Sequence, residues 1–231
     1  MTKQDFVSEL GAEFIGSMFL VMTAISSMVM FTAVFDAPKS VAVLANAISV
    51  ALVLIVLIEI FGPFSGAHFN PIVTMIMTLE KKIGVAKVAL FMLFQFAGGI
   101  AGATLSHLMF FDRVGSLLAT SDNVRNDYVY FGEIFGTFIL VLAILLLVKI
   151  GSKKISIIVG LLVGGQLLAT SSTMFANPQV TLARMFSPTA SGIRPFDALV
   201  FIAMQVIGAL LAYGVYRLVF AKKKLEEEEN E

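Results

Sequence analysis

The sequence predicts an all-α membrane protein of six transmembrane helices and two re-entrant half-helices arranged as an inverted repeat, and three observations predict it. Of 231 residues, 58% are hydrophobic and only 14% charged, with a mean hydropathy of +0.93; a soluble domain carries roughly 25% charged residues. Uncharged stretches recur at the length a hydrocarbon core demands, on the order of 20 residues. The second half of the chain also repeats landmarks of the first, among them an Asn-Pro pair set in apolar sequence.

Taken in order, the uncharged stretches are Phe14–Phe35, Ser40–Ile58, Val88–Phe111, Ile155–Ala183 and Ala198–Tyr216. A shorter one, Ile134–Val148, becomes a span if Glu133 and Lys149 sit at its ends. The apolar pattern continues nearly to the end of the chain, unlike a signal peptide followed by a polar mature domain, so the first segment is expected to be retained. With six spans placed, one set of loops holds Lys3, Lys81, Lys82, Lys87, Lys149, Lys153, Lys154, Arg217 and Lys222–Lys224, and the other Lys39, Arg113, Arg125, Arg184 and Arg194. Eleven positive charges against five place both termini in the cytoplasm, which requires an even number of spans.

The repeat carries three landmarks in the same order. Ala12-Glu13-Phe14-Ile15-Gly16 is echoed by Gly132-Glu133-Ile134-Phe135-Gly136, Asn70-Pro71 by Asn177-Pro178, and Gln95-x-x-Gly98 by Gln205-x-x-Gly208. Any one match is weak in Gly-rich spans, where close packing favours small residues anyway. Three in order make chance a poor explanation. Three spans per half send the halves through the membrane in opposite senses, with the functional site expected near the midplane. The chain thus reads as one domain over 1–231: a first repeat at about 9–111, a second at about 128–220 and a charged cytoplasmic tail at 221–231.

Asn is a strong N-cap and Pro suits the first helical position, so Asn70-Pro71 and Asn177-Pro178 each read as a helix start. About ten residues follow before Glu80 and Pro188, roughly 15 Å, half of a hydrocarbon core. The preceding segments, Gly62–Phe69 and Thr170–Ala176, are rich in Gly, Pro, Ser and Thr. Non-helical backbone at membrane depth must be buried in protein or line a water-filled cavity. Two half-helices dipping in from opposite faces bring their positive dipole ends together and repel cations. Each Asn side-chain oxygen caps its own helix, leaving the NH2 as a donor toward the lumen. Two such donors would hold one water oxygen and turn its hydrogens along the pore axis, breaking proton relay.

Composition excludes other classes. Cysteine is absent, so there is neither a disulfide framework nor a thiolate metal site. No nucleophile–base or metal constellation points to an enzyme and no cofactor is expected; net charge is zero, with no nucleic-acid patch. His68, two residues before Asn70, is expected to be held by hydrogen bonds, and His107 to sit at the interface. Gln95, Gln205, Gly98, Gly99 and Gly208 are expected on helix-packing faces. Glu13 and Glu133 are intramembrane carboxylates, a type suspected of proton relay, but their symmetric placement favours a structural role. A secondary carrier is the main rival, since inverted repeats with broken helices also build carriers. The short chain and the lack of a paired ion-coordinating cluster stand against it.

The motif Ser65-Gly66-Ala67-His68-Phe69-Asn70-Pro71 followed by Val73-Thr74 resembles the first signature of the aquaporin, or major intrinsic protein, family, and the resemblance runs from Glu13 to about Phe220. It implies a bundle of six spans and two half-helices with one pore per subunit, a homotetramer in the plasma (inner) membrane, and passage of water and small uncharged solutes. It implies Glu13 and Glu133 beneath the pore loops, carbonyls of Gly66, Ala67 and His68 along the pore, and Pro71, Pro178, Ile72 and Gln179 beside the Asn pair at its centre. Spacing within the family puts the constriction at Val50, at Gly165 or Gln166, at Met174 and at Val180.

Two departures bear on selectivity. The triplets are Asn70-Pro71-Ile72 and Asn177-Pro178-Gln179 instead of Asn-Pro-Ala, and Val180 stands where the family carries a constriction Arg. The stretch Thr170–Thr173 through Arg184 to Pro195 resembles a bacterial branch associated with arsenic resistance that also lacks that Arg, which adds arsenous acid and other metalloid hydroxides to glycerol as candidate solutes. A wider, more apolar filter is expected, with a strictly water-selective pore as the alternative. Two readings of Arg184, two helical turns after Asn177, stand side by side: a displaced vestibule charge, or a residue pairing carbonyls at the half-helix end.

Overall fold

The structure is a computed structural model that describes residues 3–221; Lys222–Lys224 and the acidic stretch Leu225–Glu231 lie outside the described residues. Among the described residues every regular element is helical. In chain order they are α1 (Lys3–Val29), continued by a wider π turn at Met30–Val34, α2 (Lys39–Ser65), α3 (Pro71–Leu79), α4 (Val85–Met109) and the single turn α5 (Phe111–Val114). The second half holds α6 (Asp127–Lys149), α7 (Ile155–Ala169), α8 (Pro178–Arg184) and α9 (Pro195–Val215), the last continued by a π turn at Tyr216–Phe220.

Five of these helices are long and apolar enough to cross a membrane, and α7 is a shorter apolar helix. The uncharged stretch Ile155–Ala183 is therefore not one span. Helix ends at Ala169, and the chain runs through a non-helical segment before α8 begins at Pro178. The break falls at the Ser/Thr-rich segment Thr170–Ala176, where non-helical backbone is expected; the absence of charge does not mark it, because that segment is uncharged too. At 1.5 Å per residue the 15 residues of α7 reach only about 22 Å. The half-helices are also shorter than the expected ten residues, at 9 and 7. Conversely, α2 runs on to Ser65 with Pro63 inside it, so the first non-helical segment starts only at Gly66 (φ 84°).

Each half packs its first helix between the other two: α1 lies on α2 and α4, and α6 on α7 and α9. The halves join where α2 meets α7 and where each half-helix rests on both α4 and α9. Glycine permits the tightest crossings. A Cβ on Gly98 would lie 2.3 Å from the Phe14 carbonyl oxygen, and one on Gly208 would lie 2.3 Å from that of Ile134. Backbones touch at these two related points, the small-residue packing that stands in for hydrophobic driving force in lipid.

Candidate functional site

Both half-helices open on a capped asparagine. Asn70 and Asn177 adopt extended backbone (φ −155° and −156°), and their side-chain oxygens accept from the N–H of Ile72 at 2.9 Å and of Gln179 at 3.2 Å. The amide nitrogens do not turn wholly to the lumen as expected. Asn70 Nδ2 donates to the Ala176 carbonyl and Asn177 Nδ2 to that of Phe69, each at 2.8 Å. Each half-helix is thus tied to the loop of the other. An amide nitrogen carries two hydrogens, so one donor per Asn is left for the cavity that both residues line.

The loops leading to these caps are strained in the same way. Ala67 and Phe69 have φ of 51° and 47°, and Met174 and Ala176, at the same offsets before Asn177, have 39° and 46°. Left-handed backbone is unfavourable for residues with a Cβ and persists only where the surroundings enforce it. Two buried carboxylates do so. Glu13 accepts from the N–H groups of His68 (3.0 Å) and Phe69 (2.8 Å), and Glu133 from those of Phe175 (2.9 Å) and Ala176 (2.8 Å). Gln95 and Gln205 donate to these carboxylates at 2.7 and 2.6 Å, and each also donates to a half-helix threonine, Thr74 or Thr181, at 2.9 Å. In a trans peptide N–H and C=O point oppositely. The carbonyls of Ala67 and His68, and of Met174 and Phe175, therefore point away from the carboxylates; Gly66 lines the cavity with these four.

That cavity has a volume of about 730 Å³ and runs from Lys82 and Lys153 at one end, past Asn70 and Asn177, to Asn46 and Arg184 at the other. Glu59, which accepts from the Ser156 hydroxyl at 2.6 Å, lines the Lys-rich end. Between the Asn pair and Arg184 the wall is apolar, with Val50, Val163, Leu167, Met174 and Val180. Gly165 and Gln166 are not part of it, which corrects the expected constriction. Gly160 and Gly164 face Ala51 and Ala47 of α2, and that register turns Val163 and Leu167 to the lumen. Counting back from Asn177 missed this; the Val159-Val163-Leu167 spacing beside two glycines was the available signal.

The residues flanking the Asn pair are also corrected. Pro71, Ile72, Pro178 and Gln179 are buried but do not line the cavity. A helix whose N-cap faces the lumen turns its next two residues into the protein. Ile72 packs with Val141 and Ala209, and Gln179 reaches across to donate to the Phe69 carbonyl at 3.1 Å. Gln179 Oε1 lies against Gly99, 2.3 Å from where a Cβ would stand, and has no hydrogen-bond partner among the described residues.

His68 lines the cavity with Nδ1 3.0 Å from the Thr74 hydroxyl. Thr74 also accepts from Gln95, and its hydroxyl, with one hydrogen and two lone pairs, serves either tautomer of the ring. His107, in the last turn of α4, is fully buried between the Leu117 carbonyl (2.7 Å) and the Ser187 hydroxyl (2.9 Å). Arg184 combines features of both its readings. Its Nε donates to the Ser191 carbonyl, while its guanidinium carbon sits 3.6 Å over the Phe175 ring at the end of the cavity. Arg125, in the loop before α6, approaches the same ring at 5.6 Å; burial lowers its pKa, opposed by the charges of Glu133 and Asp197. Among the described residues no group of three acidic, His or Cys side chains could hold a metal.

The family model of the major intrinsic proteins matches residues 1–176. Aquaglyceroporin AqpS of Rhizobium meliloti (strain 1021) is 37% identical over 218 residues, covering 94% of this chain and 92% of its own length. Bovine aquaporin-4 is 27% identical over 227 residues, 94% of this chain and 68% of that protein. The X-ray structure of the aquaglyceroporin from Plasmodium falciparum superposes with a TM-score of 0.71 over 94% of this chain and 97% of the other, at 18% identity, and so shares the fold.

Proposed function

The chain belongs to the major intrinsic protein family, a family of membrane channels and not of enzymes, and from that premise we propose that it is a passive pore for water and small uncharged solutes, glycerol among them. The observation that carries the reading is the cavity. A lumen of about 730 Å³ passes two single N–H donors and then an apolar ring in which Val180 replaces a charged constriction residue. An apolar ring lets larger neutral solutes approach without supplying ligands to a dehydrated ion. The likeness to an aquaglyceroporin supports glycerol. Arsenous acid and related metalloid hydroxides are uncharged polyhydroxylated solutes of comparable kind and belong to the same proposal.

Charge exclusion rests on the two half-helix N-termini that converge at the Asn pair. Glu13 and Glu133 are anchors and not proton carriers, because each is fully buried and engaged by backbone N–H groups. The predominance of Lys and Arg in one set of loops supports cytoplasmic termini in a plasma (inner) membrane. A homotetramer, with the exposed apolar helix faces shared between lipid and neighbouring subunits, completes the proposal. Stopped-flow light scattering on proteoliposomes tests it: glycerol, urea and arsenous acid should enter faster than into empty vesicles, and Val180→Arg should reduce that entry. Rapid water flow with no solute entry would overturn the wide-pore reading.

A further inference from the structure

We propose that Asn46 and Arg184 form a hydroxyl-binding ring one helical turn beyond the apolar constriction, so that the pore reads solute size and hydroxyl content at two separate levels. The inference rests on the neutral-solute reading above and names the solute class within it: polyhydroxylated molecules. Arg184 follows Val180 by four residues on α8, and Asn46 precedes Val50 by four on α2, so each polar residue stands one turn, about 5.4 Å, from its apolar neighbour on the same helix face. Both helices carry these residues away from the Lys-rich end of the cavity, α8 because it starts at the Asn pair and α2 because its last turns line the opposite end.

The two residues lie in one hydrogen-bonded layer. The Ala24 carbonyl accepts from Asn46 Nδ2 at 2.8 Å and from the Ser191 hydroxyl at 3.2 Å, and the Ser191 carbonyl accepts from Arg184 Nε. What these bonds leave over faces the lumen. Asn46 uses both amide hydrogens, the second on the Ser27 hydroxyl at 2.8 Å, and its Oδ1 takes no donor among the described residues. The terminal nitrogens of Arg184 likewise have no hydrogen-bond partner there, and no ion pair. None of these atoms is among the sealed, unpaired polar atoms of the protein, although Asn46 and Arg184 are only 5% and 6% exposed. They are open to the cavity both residues line.

A nearly buried guanidinium without a carboxylate partner is costly unless something else satisfies its donors. Phe175 holds its face and Ser191 its Nε, which leaves a fixed fork of donors and a fixed acceptor in one layer of the cavity wall. A hydroxyl both donates and accepts, so a polyol matches this pair, whereas a cation meets only like charge and one oxygen. The apolar ring beyond offers no hydrogen bonds. For a solute entering from the Arg184 end, hydroxyl recognition therefore occurs before the size limit and not at it.

The test compares glycerol with 1,2-propanediol, which is close in size and lacks one hydroxyl, in proteoliposomes of the full chain. Arg184→Leu and Asn46→Leu should each lower the glycerol-to-propanediol permeability ratio about fivefold, the scale of one net hydrogen bond. Arg184→Lys should lower it at least about twofold, because a flexible point charge cannot satisfy Ser191 and stack on Phe175 together; it carries the test if the leucine variants do not fold. An unchanged ratio in any of these variants that elutes as a single monodisperse species overturns the ring. Wild-type vesicles that pass neither solute overturn the neutral-solute reading itself, and the ring with it.

Discussion

Glu133 is fully buried, and three donors converge on it: the N–H groups of Phe175 and Ala176 and the Gln205 amide. Replacing the carboxylate by an amide turns an acceptor into a donor against one of them. Glu133→Gln should therefore destabilise the protein by about 2–4 kcal/mol, read as a lower melting temperature in detergent, and Glu13→Gln should behave alike. Were these carboxylates proton carriers, the same changes would leave stability intact and abolish a proton-dependent flux. At this scale the sequence was uneven. The paired Glu and Gln residues were legible because the repeat marks them twice. Asn46 and Leu167 were not, since a single Asn or Leu in an apolar helix reads the same whether it faces lumen, neighbour or lipid. Facing is set by the helix register, and for α7 that register follows from Gly160 and Gly164 lying on Ala51 and Ala47.

The half-helices were readable from Asn-Pro because capping is local chemistry, carried by residues adjacent in the chain. The non-helical segment Thr170–Ala176 was legible too, and α7 ends just before it at Ala169; the lengths of the half-helices were not, because tertiary packing stops them where no Gly or Pro stands at the last residue. One contact between elements can be tested directly. Gln179 of α8 occupies the space beside Gly99 of α4, with Oε1 2.3 Å from the position of an added Cβ. Gly99→Ala should cost about 1–3 kcal/mol by overpacking. Joined to Gln179→Ala it should cost much less, so a double-mutant cycle by thermal unfolding should show strong coupling. Additive effects would mean that the alanine is accommodated elsewhere. The pair also explains how a long polar side chain is tolerated in the second triplet position: it serves the interface between halves and not the lumen.

For the molecule as a whole, hydropathy and the internal repeat together made the fold legible, because a bilayer constrains length and polarity more tightly than water does. They do not by themselves separate a channel from a carrier, since inverted repeats build both; flux does. A fixed lumen bounded by two crosslinked half-helices should give glycerol flux that rises linearly with gradient and is unchanged by a protonophore, measured by light scattering in the same vesicles. Saturation in the low millimolar range or uncoupler sensitivity would point to alternating access instead. The crosslink between the halves is itself not quite symmetric. The Phe69 carbonyl accepts from Asn177 and Gln179, at 2.8 and 3.1 Å, whereas among the described residues the Ala176 carbonyl accepts from Asn70 alone. Two donors polarise a C=O bond more than one, so in an infrared spectrum an isotope-edited label at Phe69 should vibrate at a lower wavenumber than one at Ala176. Gln179→Ala should bring the two bands together, giving a spectroscopic ruler for how far the duplicated halves have diverged at the point where they meet.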